Sequence, residues 1–437
     1  MSPYRFIPGK RLALYVALGM PLLFFGSSGR LSALLLDAWL CAAALLEARS
    51  LARRAPHVSR EIDARFLLGV ENAVHLKLQN ASAAAISGSL RDDYPDGFTA
   101  SEPEHVLSLP AYAHRELLYE VRPPRRGLYE FGDLHLRLDG RFGLGSALVT
   151  LPARAQVRVY PNLRGPRRYE LAARLGALHS VGVRNVRRGG GGGEFEQLRE
   201  YVPGDPFRDL DWKATAKRLR PITRVHGQEH SQTVLVALDA GRMMATQQGE
   251  LTKLDHAIHA ALLLCLVALR SGDKVGLIVF AEQVQRFVPP GRGNAQYRRI
   301  LEALYAVEAS PLYVDFRRLS EFVRRRVPRR CLLLLFSDLL DESQAMPLAA
   351  EAPRLRGKHL PVCVTMNDPV ASALASAPAQ TESDVYQRAA AADILADREA
   401  VKTHLQKAGV GLLEAPAGEL AIATVNRYLE IKTRHAL

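Results

Sequence analysis

The chain has 437 residues, 48% of them hydrophobic and 24% charged, with a formal net charge of +13. This length exceeds one ordinary core and this composition excludes a disordered chain, so two or three folded domains are expected. The basic excess suits anionic lipid heads, nucleic acid or an acidic protein. Cys41, Cys265, Cys331 and Cys363 lie far apart without a CxxC pair, so neither a disulfide framework nor a zinc site is indicated.

Two apolar stretches, residues 12–27 and 31–46, come first. Each is near the lower limit of about 17 residues for a spanning helix. Arg5, Lys10 and Arg11 precede them, Arg49, Arg53 and Arg54 follow, and only Arg30 lies between. The positive-inside rule then puts both ends in the cytoplasm. Residues 1–54 therefore read as an N-terminal transmembrane helical hairpin in the inner membrane, with the soluble domains on the cytoplasmic side. The rival reading is a signal peptide cut near residues 26–28, which would leave the second apolar stretch exposed.

Residues 55–165 alternate with period two in runs such as "VHLKLQN", "HRELLYEVRP" and "AQVRVYP", separated by turn clusters such as "DDYPDG". About seven short strands without a helix predict an antiparallel β-sandwich. The segment 125–144, "RRGLYEFGDLHLRLDGRFGL", reads as a hairpin with solvated edges rather than a binding loop.

Residues 166–232 form a linker with five glycines at 189–193 and then a dense charged run, "EFEQLREYVPGDPFRDLDWKATAKRLR". No GxxxxGK[ST] occurs, so the glycines read as a hinge and not as a phosphate cradle. Within the run, Pro203-Gly204 predicts a turn, and Asp205 before Pro206 predicts a capped helix. On that helix Asp209 and Lys213 are four apart, as are Asp211 and Thr215, while Arg208 lies one turn from Trp212. Acids beside bases point to a scaffold of ion pairs around Trp212. A hydrolase using Glu194, Asp205, Asp209 or Asp211 would need one carboxyl with a raised pKa.

From 233 to 437, strands alternate with helices: "TVLVALDAGRMM", "KLDHAIHAALLLCLVALRSGD", "KVGLIVFA", "RCLLLLFSDLLDE" and "KHLPVCVTMND", then a helix at the chain's end. The pattern predicts an α/β doubly wound, mostly parallel sheet with any site at the strands' carboxyl ends, where Asp239 and Asp338 fall. His256 and His259 are three apart on the helix after Asp239 without an HExxH motif, which favours helix-face polar residues over ligands. No GxSxG elbow occurs and no cysteine has an evident histidine partner, so no enzyme is expected. The arginine-rich segment 316–330 suits a solvated helix face, then anionic lipid or a partner; sparse aromatic residues make nucleic acid the least fitting.

The run "EFEQLREYVPGDPFRDLDWKATAKR", with "VALDAGRMM", "RSGDKVGLIVFAEQV" and "LFSDLLDE", resembles the bacterial domain-of-unknown-function 58 family, whose core is similar to the von Willebrand factor A domain. The resemblance extends to the paired apolar segments and the "VNRYLEIK" tail. It implies a membrane-tethered protein acting with a MoxR-type AAA+ ATPase in assembly or maturation of other proteins. It also marks Arg199, Tyr201, Gly204, Asp205, Arg208, Asp211, Trp212 and Lys213 as signature or interaction residues.

In that superfamily an Asp-x-Ser-x-Ser turn, a threonine and a second aspartate hold a divalent ion. Here Asp239 and Asp338 are kept, but the serines fall on Gly241 and Met243, and "SPLYVDFRRL", where the threonine would fall, has none, although Asp315 is nearby. Glycine has no ligand atom and a thioether is too soft for magnesium, so the pocket reads as degenerate, holding Mg²⁺ weakly at most. The expectation is a non-catalytic scaffold without a cofactor; the alternative is a divalent-metal-dependent ligand-binding protein.

Overall fold

The computed structural model describes residues 4–24, 26–162, 194–202, 205, 207, 210–227, 232–339, 342–367 and 369–434. The chain divides into two compact units, Met1–Asn162 and Leu163–Leu437. The glycine run 189–193, Gly204, Pro206, Arg208 and Asp209 lie outside the described residues.

The first unit begins with β1 (Tyr4–Pro8), α1 (Lys10–Gly19), a 3₁₀ turn at Met20–Phe24 and α2 (Gly26–Arg53). Strands follow: β2 (His57–Ile62), β3 (Arg65–Leu67), β4 (Asn72–Gln79), β5 (Ile86–Asp92), β6 (Thr99–Ala100) and β7 (His105–Leu109). After them come β8 (His114–Arg122), β9 (Gly127–Phe131), β10 (Leu134–Asp139), β11 (Gly145–Leu151) and β12 (Ala155–Tyr160). The sheets run β1-β11-β10-β5-β7, β2-β4-β8-β6 and β3-β12-β9. Apolar residues at every second position fill the interior, as in β4 with Val74, Leu76 and Leu78 and in β10 with Leu134, Leu136 and Leu138.

A buried polar knot joins the two larger sheets. Arg60 of β2 forks onto Asp92 of β5, its Nε 2.9 Å from Oδ2, and donates to the carbonyls of Ala153 and Gly132. The Tyr119 hydroxyl of β8 donates to the same carboxylate at 2.6 Å. Charge and donors are matched, which is the condition for burying an ion pair.

Four expectations need correction here. Segment 125–144 is not one hairpin: β9 pairs with β12 and β10 with β11 and β5, in different sheets. The first apolar stretch is not one continuous helix, because Pro21 stands just past the end of α1, in the 3₁₀ turn. Among the described residues only α2 is a helix long and apolar enough to cross a membrane, by length and composition. Its C-terminal half packs on β11, with Ala44 and Ala48 fully buried. Glu47 accepts the backbone N–H groups of Phe142, Leu144 and Gly145. Gly145 is required there, since a Cβ would lie 2.7 Å from the Ala44 carbonyl oxygen. Finally, residues 4–8, read as a charged flank, form a sheet strand, so a cut near residues 26–28 would remove part of the fold.

In the second unit the segment read as linker carries structure of its own: β13 (Glu194–Glu200) pairs antiparallel with β14 (Ile222–Gly227) around the short helix α3 (Trp212–Arg218). The main sheet is built from β15 (Thr233–Asp239), β18 (Lys274–Phe280), β19 (Val284–Gly291), β20 (Leu332–Phe336), β21 (Leu360–Met366) and β22 (Gly411–Ala415). A two-stranded hairpin, β16 (Gln247–Gln248) and β17 (Leu251–Thr252), precedes α4 (Lys253–Arg270). The remaining helices are α5 (Gly293–Leu304), α6 (Phe316–Arg326), α7 (Glu342–Arg356), α8 (Pro369–Ser376), α9 (Glu382–Lys407) and α10 (Leu420–Thr433).

The sheet order is β19-β18-β15-β20-β21-β22, parallel except for β19 at one edge. Alternate residues of each strand serve opposite cores. Val234, Val236 and Leu334 face α4, α5 and α10; Leu235, Ala237 and Leu335 face α6, α7 and α9. In sequence order this is 3-2-1-4-5-6, the doubly wound order, whose direction of winding reverses between β15 and β20. The crevice at that reversal lies where Asp239 and Asp338 end their strands.

Candidate functional site

Asp239 is the last residue of β15 and is buried. Its Oδ1 accepts the Gly241 N–H at 2.6 Å and its Oδ2 accepts the Ser337 hydroxyl at 2.5 Å. Burial pushes its pKa up to about 6, and the neighbouring Asp338 adds to this against the two hydrogen bonds.

Asp338, two residues past β20, is also buried. Its Oδ2 pairs with the ammonium of Lys253. Its Oδ1 lies 3.8 Å from Arg398 Nη2 and 3.5 Å from Thr365 Oγ1. Lys253 is the first residue of α4, behind the N-cap Thr252, and its side chain is 8% exposed. Thr252 and Asp255 form a reciprocal capping box that fixes this helix start. Arg398 of α9 donates to the Met366 carbonyl at 3.3 Å and approaches Glu414, which also holds Lys402 at 2.5 Å. The cavity beside Thr365, Arg398 and Glu414 measures about 10 Å³, room for one water and not for an organic ligand.

Gly241 shows why a serine is missing from the turn. A Cβ there would lie 3.0 Å from Asp239 Oδ1 and 3.2 Å from the Leu312 carbonyl oxygen. Arg242 N–H donates to that carbonyl at 3.0 Å and Ser310 N–H donates to Ala240 at 2.6 Å, so the segment around Leu312 is bonded onto the turn. Met243 is half-buried, in a 3₁₀ turn at Arg242–Ala245. Asp315, within the segment 310–319 where the resemblance implies a threonine, caps α6 by accepting the Arg318 N–H. Among the described residues no three His, Cys, Asp or Glu side chains converge on one point. Both carboxylates are already bonded within the chain, and positions 241 and 243 offer no hard oxygen donor from a side chain.

The signature residues lie apart from this crevice in sequence, on the β13–α3–β14 element. The helix start expected at Pro206 lies outside the described residues; a described helix begins at Trp212, with Asp211 as its N-cap accepting the N–H groups of Lys213 and Ala214 at 3.0 Å. Asp205 accepts the Val202 N–H and an Arg199 N–H, which hold its pKa below the usual carboxylate range. A carboxyl kept ionised in this way is no general acid. Arg220 pairs with Glu200 at 3.0 Å, and Tyr201 stacks obliquely near Phe207. Two residues of the ion pairs expected there, Arg208 and Asp209, lie outside the described residues on the N-terminal side of Trp212. Its side chain is 68% exposed, and Phe207 and Leu219 are exposed too.

One contact escaped the sequence: Cys331 Sγ lies 3.1 Å from His359 Nδ1 in the core. Burial raises the thiol to about 12 and lowers the imidazole, so both stay neutral and no nucleophile forms. His256 Nε2 lies 3.1 Å from the Gln248 carbonyl oxygen, a structural contact. In α6 the buried face is Phe316, Leu319 and Val323, and the arginines project to solvent.

Residues 197–409 match the family model described as "Protein of unknown function DUF58". The uncharacterized protein Rv1480 of Mycobacterium tuberculosis and the uncharacterized protein Mb1516 of Mycobacterium bovis are each 27% identical over 185 residues. The match covers 41% of this chain and 56% of each relative, so the chain spans about half the length of these curated relatives. Among solved structures, the conserved hypothetical protein BatB from Bacteroides thetaiotaomicron is 17% identical, covering 47% of this chain and 100% of that one, with a TM-score of 0.33. An aerotolerance-related membrane protein from Bacteroides fragilis is 15% identical, covering 46% of this chain and 100% of that one, with a TM-score of 0.31.

Proposed function

Because residues 197–409 place this chain in the DUF58 family, we propose that it is a membrane-anchored, non-catalytic interaction protein. Its second unit is a von Willebrand factor A-like domain whose metal turn has been dismantled. In this reading α1 and α2 form the anchor in the inner membrane, the soluble parts lie on the cytoplasmic side, and the first unit is a β-sandwich spacer. A MoxR-type AAA+ ATPase is the partner, and the pair acts in assembly or maturation of other proteins.

The carrying observation is the state of the crevice between β15 and β20. The fold's usual ligand position holds two carboxylates, and both are engaged by the chain itself: Asp239 by Gly241 and Ser337, Asp338 by Lys253 and Arg398. A metal-dependent ligand binder needs open hard-oxygen donors at that place. The exposed Trp212, Phe207 and Leu219 beside Lys213 and Arg218 supply the kind of apolar and basic surface on which protein partners anchor.

The test is co-purification of the full chain from crosslinked membranes with ATP, ADP or no nucleotide. Recovery of an AAA+ ATPase, reduced by Trp212→Ala, is expected. Its absence in every nucleotide state would sink the partnership. A reporter fused after Leu437 that works only outside the cytoplasm would sink the orientation.

A further inference from the structure

We propose that the ammonium of Lys253 is the resident cation of the crevice, standing on Asp338 where a divalent ion would stand and making the site indifferent to metals. This deepens the docking reading and rests on it only for its consequence, that partner capture by this chain needs no ion of its own.

The argument begins with position. Lys253 occupies the first turn of α4, where the helix dipole favours an acid and disfavours a cation. Its side chain is nevertheless buried, and its partner is Asp338, 85 residues further along the chain. A buried ammonium at an unfavourable helix end is explained by the carboxylate it neutralises. Arg398 supplies a second positive charge to the other oxygen of Asp338, from a different helix.

Next comes the charge balance. Two carboxylates, Asp239 and Asp338, face two cations, Lys253 and Arg398, all of them buried. A divalent ion added to this set would be held beside two like charges with little water to screen them. It would also find no hydroxyl at 241 or 243 and no threonine from the loop at Leu312. With the ammonium removed, Asp338 regains a free oxygen and the local charge shifts toward the acids. Manganese, less demanding than magnesium in its ligands, should then bind.

The experiment uses the full chain in detergent with Mn²⁺ as the probe, read by the loss of the free-ion paramagnetic signal and by the thermal transition. Wild type should take up no Mn²⁺ at micromolar concentration. Lys253→Met should bind at least about tenfold more tightly than wild type, with a Mn²⁺-dependent rise in its transition. Lys253→Arg, which keeps a cation, should stay blind to the metal, and Asp338→Asn in the Lys253→Met background should abolish the gain. If Lys253→Met does not fold, Lys253→Gln, neutral but able to hydrogen-bond Asp338, carries the same expectation. Micromolar Mn²⁺ binding by wild type overturns the proposal. So does a folded neutral variant that ignores Mn²⁺. None of these arms contains a partner, so loss of ATPase capture with these results intact would sink the docking reading alone.

Discussion

The titration of Asp239 offers the sharpest quantitative test of the crevice. In the native state burial holds this carboxyl at about 6, whereas its unperturbed value is 3.8. The native state therefore binds the proton more tightly than the unfolded chain. Stability from this group is greatest below pH 3.8 and is lost as pH rises, the loss being complete above about 6. At 1.36 kcal/mol per tenfold change in proton affinity, the ionised carboxylate costs the native state about 3 kcal/mol. Asp239→Asn removes that cost. The amide oxygen can still accept the Gly241 N–H, and the Ser337 hydroxyl can turn to accept the new amide N–H. The assay is denaturant unfolding of wild type and Asp239→Asn from pH 4 to 7.5, read as their difference so that other titrating groups cancel. Wild type should lose about 2.5 kcal/mol relative to the variant across that range, since a small part is already lost at pH 4. In thermal unfolding of a unit this size the same loss amounts to roughly 5–10 °C. A flat difference, or one that grows in favour of wild type with rising pH, would refute the reasoning.

Three further outcomes follow from contacts described above. Gly241→Ser places a Cβ against Asp239 Oδ1 and the Leu312 carbonyl oxygen and should destabilise by about 1–3 kcal/mol without restoring Mg²⁺ binding; a neutral or stabilising result in urea unfolding contradicts it. Asp211→Ala deletes the cap of α3 at a cost of about 1 kcal/mol, so amide exchange should quicken across 212–218 and nowhere in the main sheet, and unchanged exchange would count against the cap. Arg60→Met leaves the buried Asp92 carboxylate with the Tyr119 hydroxyl and should cost about 3–5 kcal/mol. Adding Asp92→Leu should recover part of that, and strictly additive losses would show that the two residues do not act as a pair.

The parts of the fold that were legible in the sequence are those with local causes. Apolar runs closed by an aspartate gave β15 with Asp239 and β20 with Asp338, because a buried strand and its polar end are written in adjacent residues. Lys253 was not legible, since a lysine at a helix start looks solvated until Asp338 is seen beside it. Arg398 was hidden likewise in an alanine-rich helix. Period-two alternation located β9 and β10 but could not tell their partners, which depend on the whole sheet. In the signature run both Asp205 and Asp211 carry capping chemistry. Asp211 caps the described helix 212–218, which lies between β13 and β14, while the residues that would follow an Asp205 cap lie largely outside the described ones.

The strands on either side of the apolar helices have a topological consequence. β1 lies before α1 and bonds to β11; β2 lies after α2 and bonds to β4, in the same compact unit. Anything traversed between residues 8 and 57 must be traversed an even number of times, so α2 cannot be a lone crossing. In the proposed anchor its return leg is α1 with its 3₁₀ turn, 10 and 5 residues long. At the usual rises that leg reaches about 25 Å. A bilayer accommodating this loop would have to thin around it by about 5 Å.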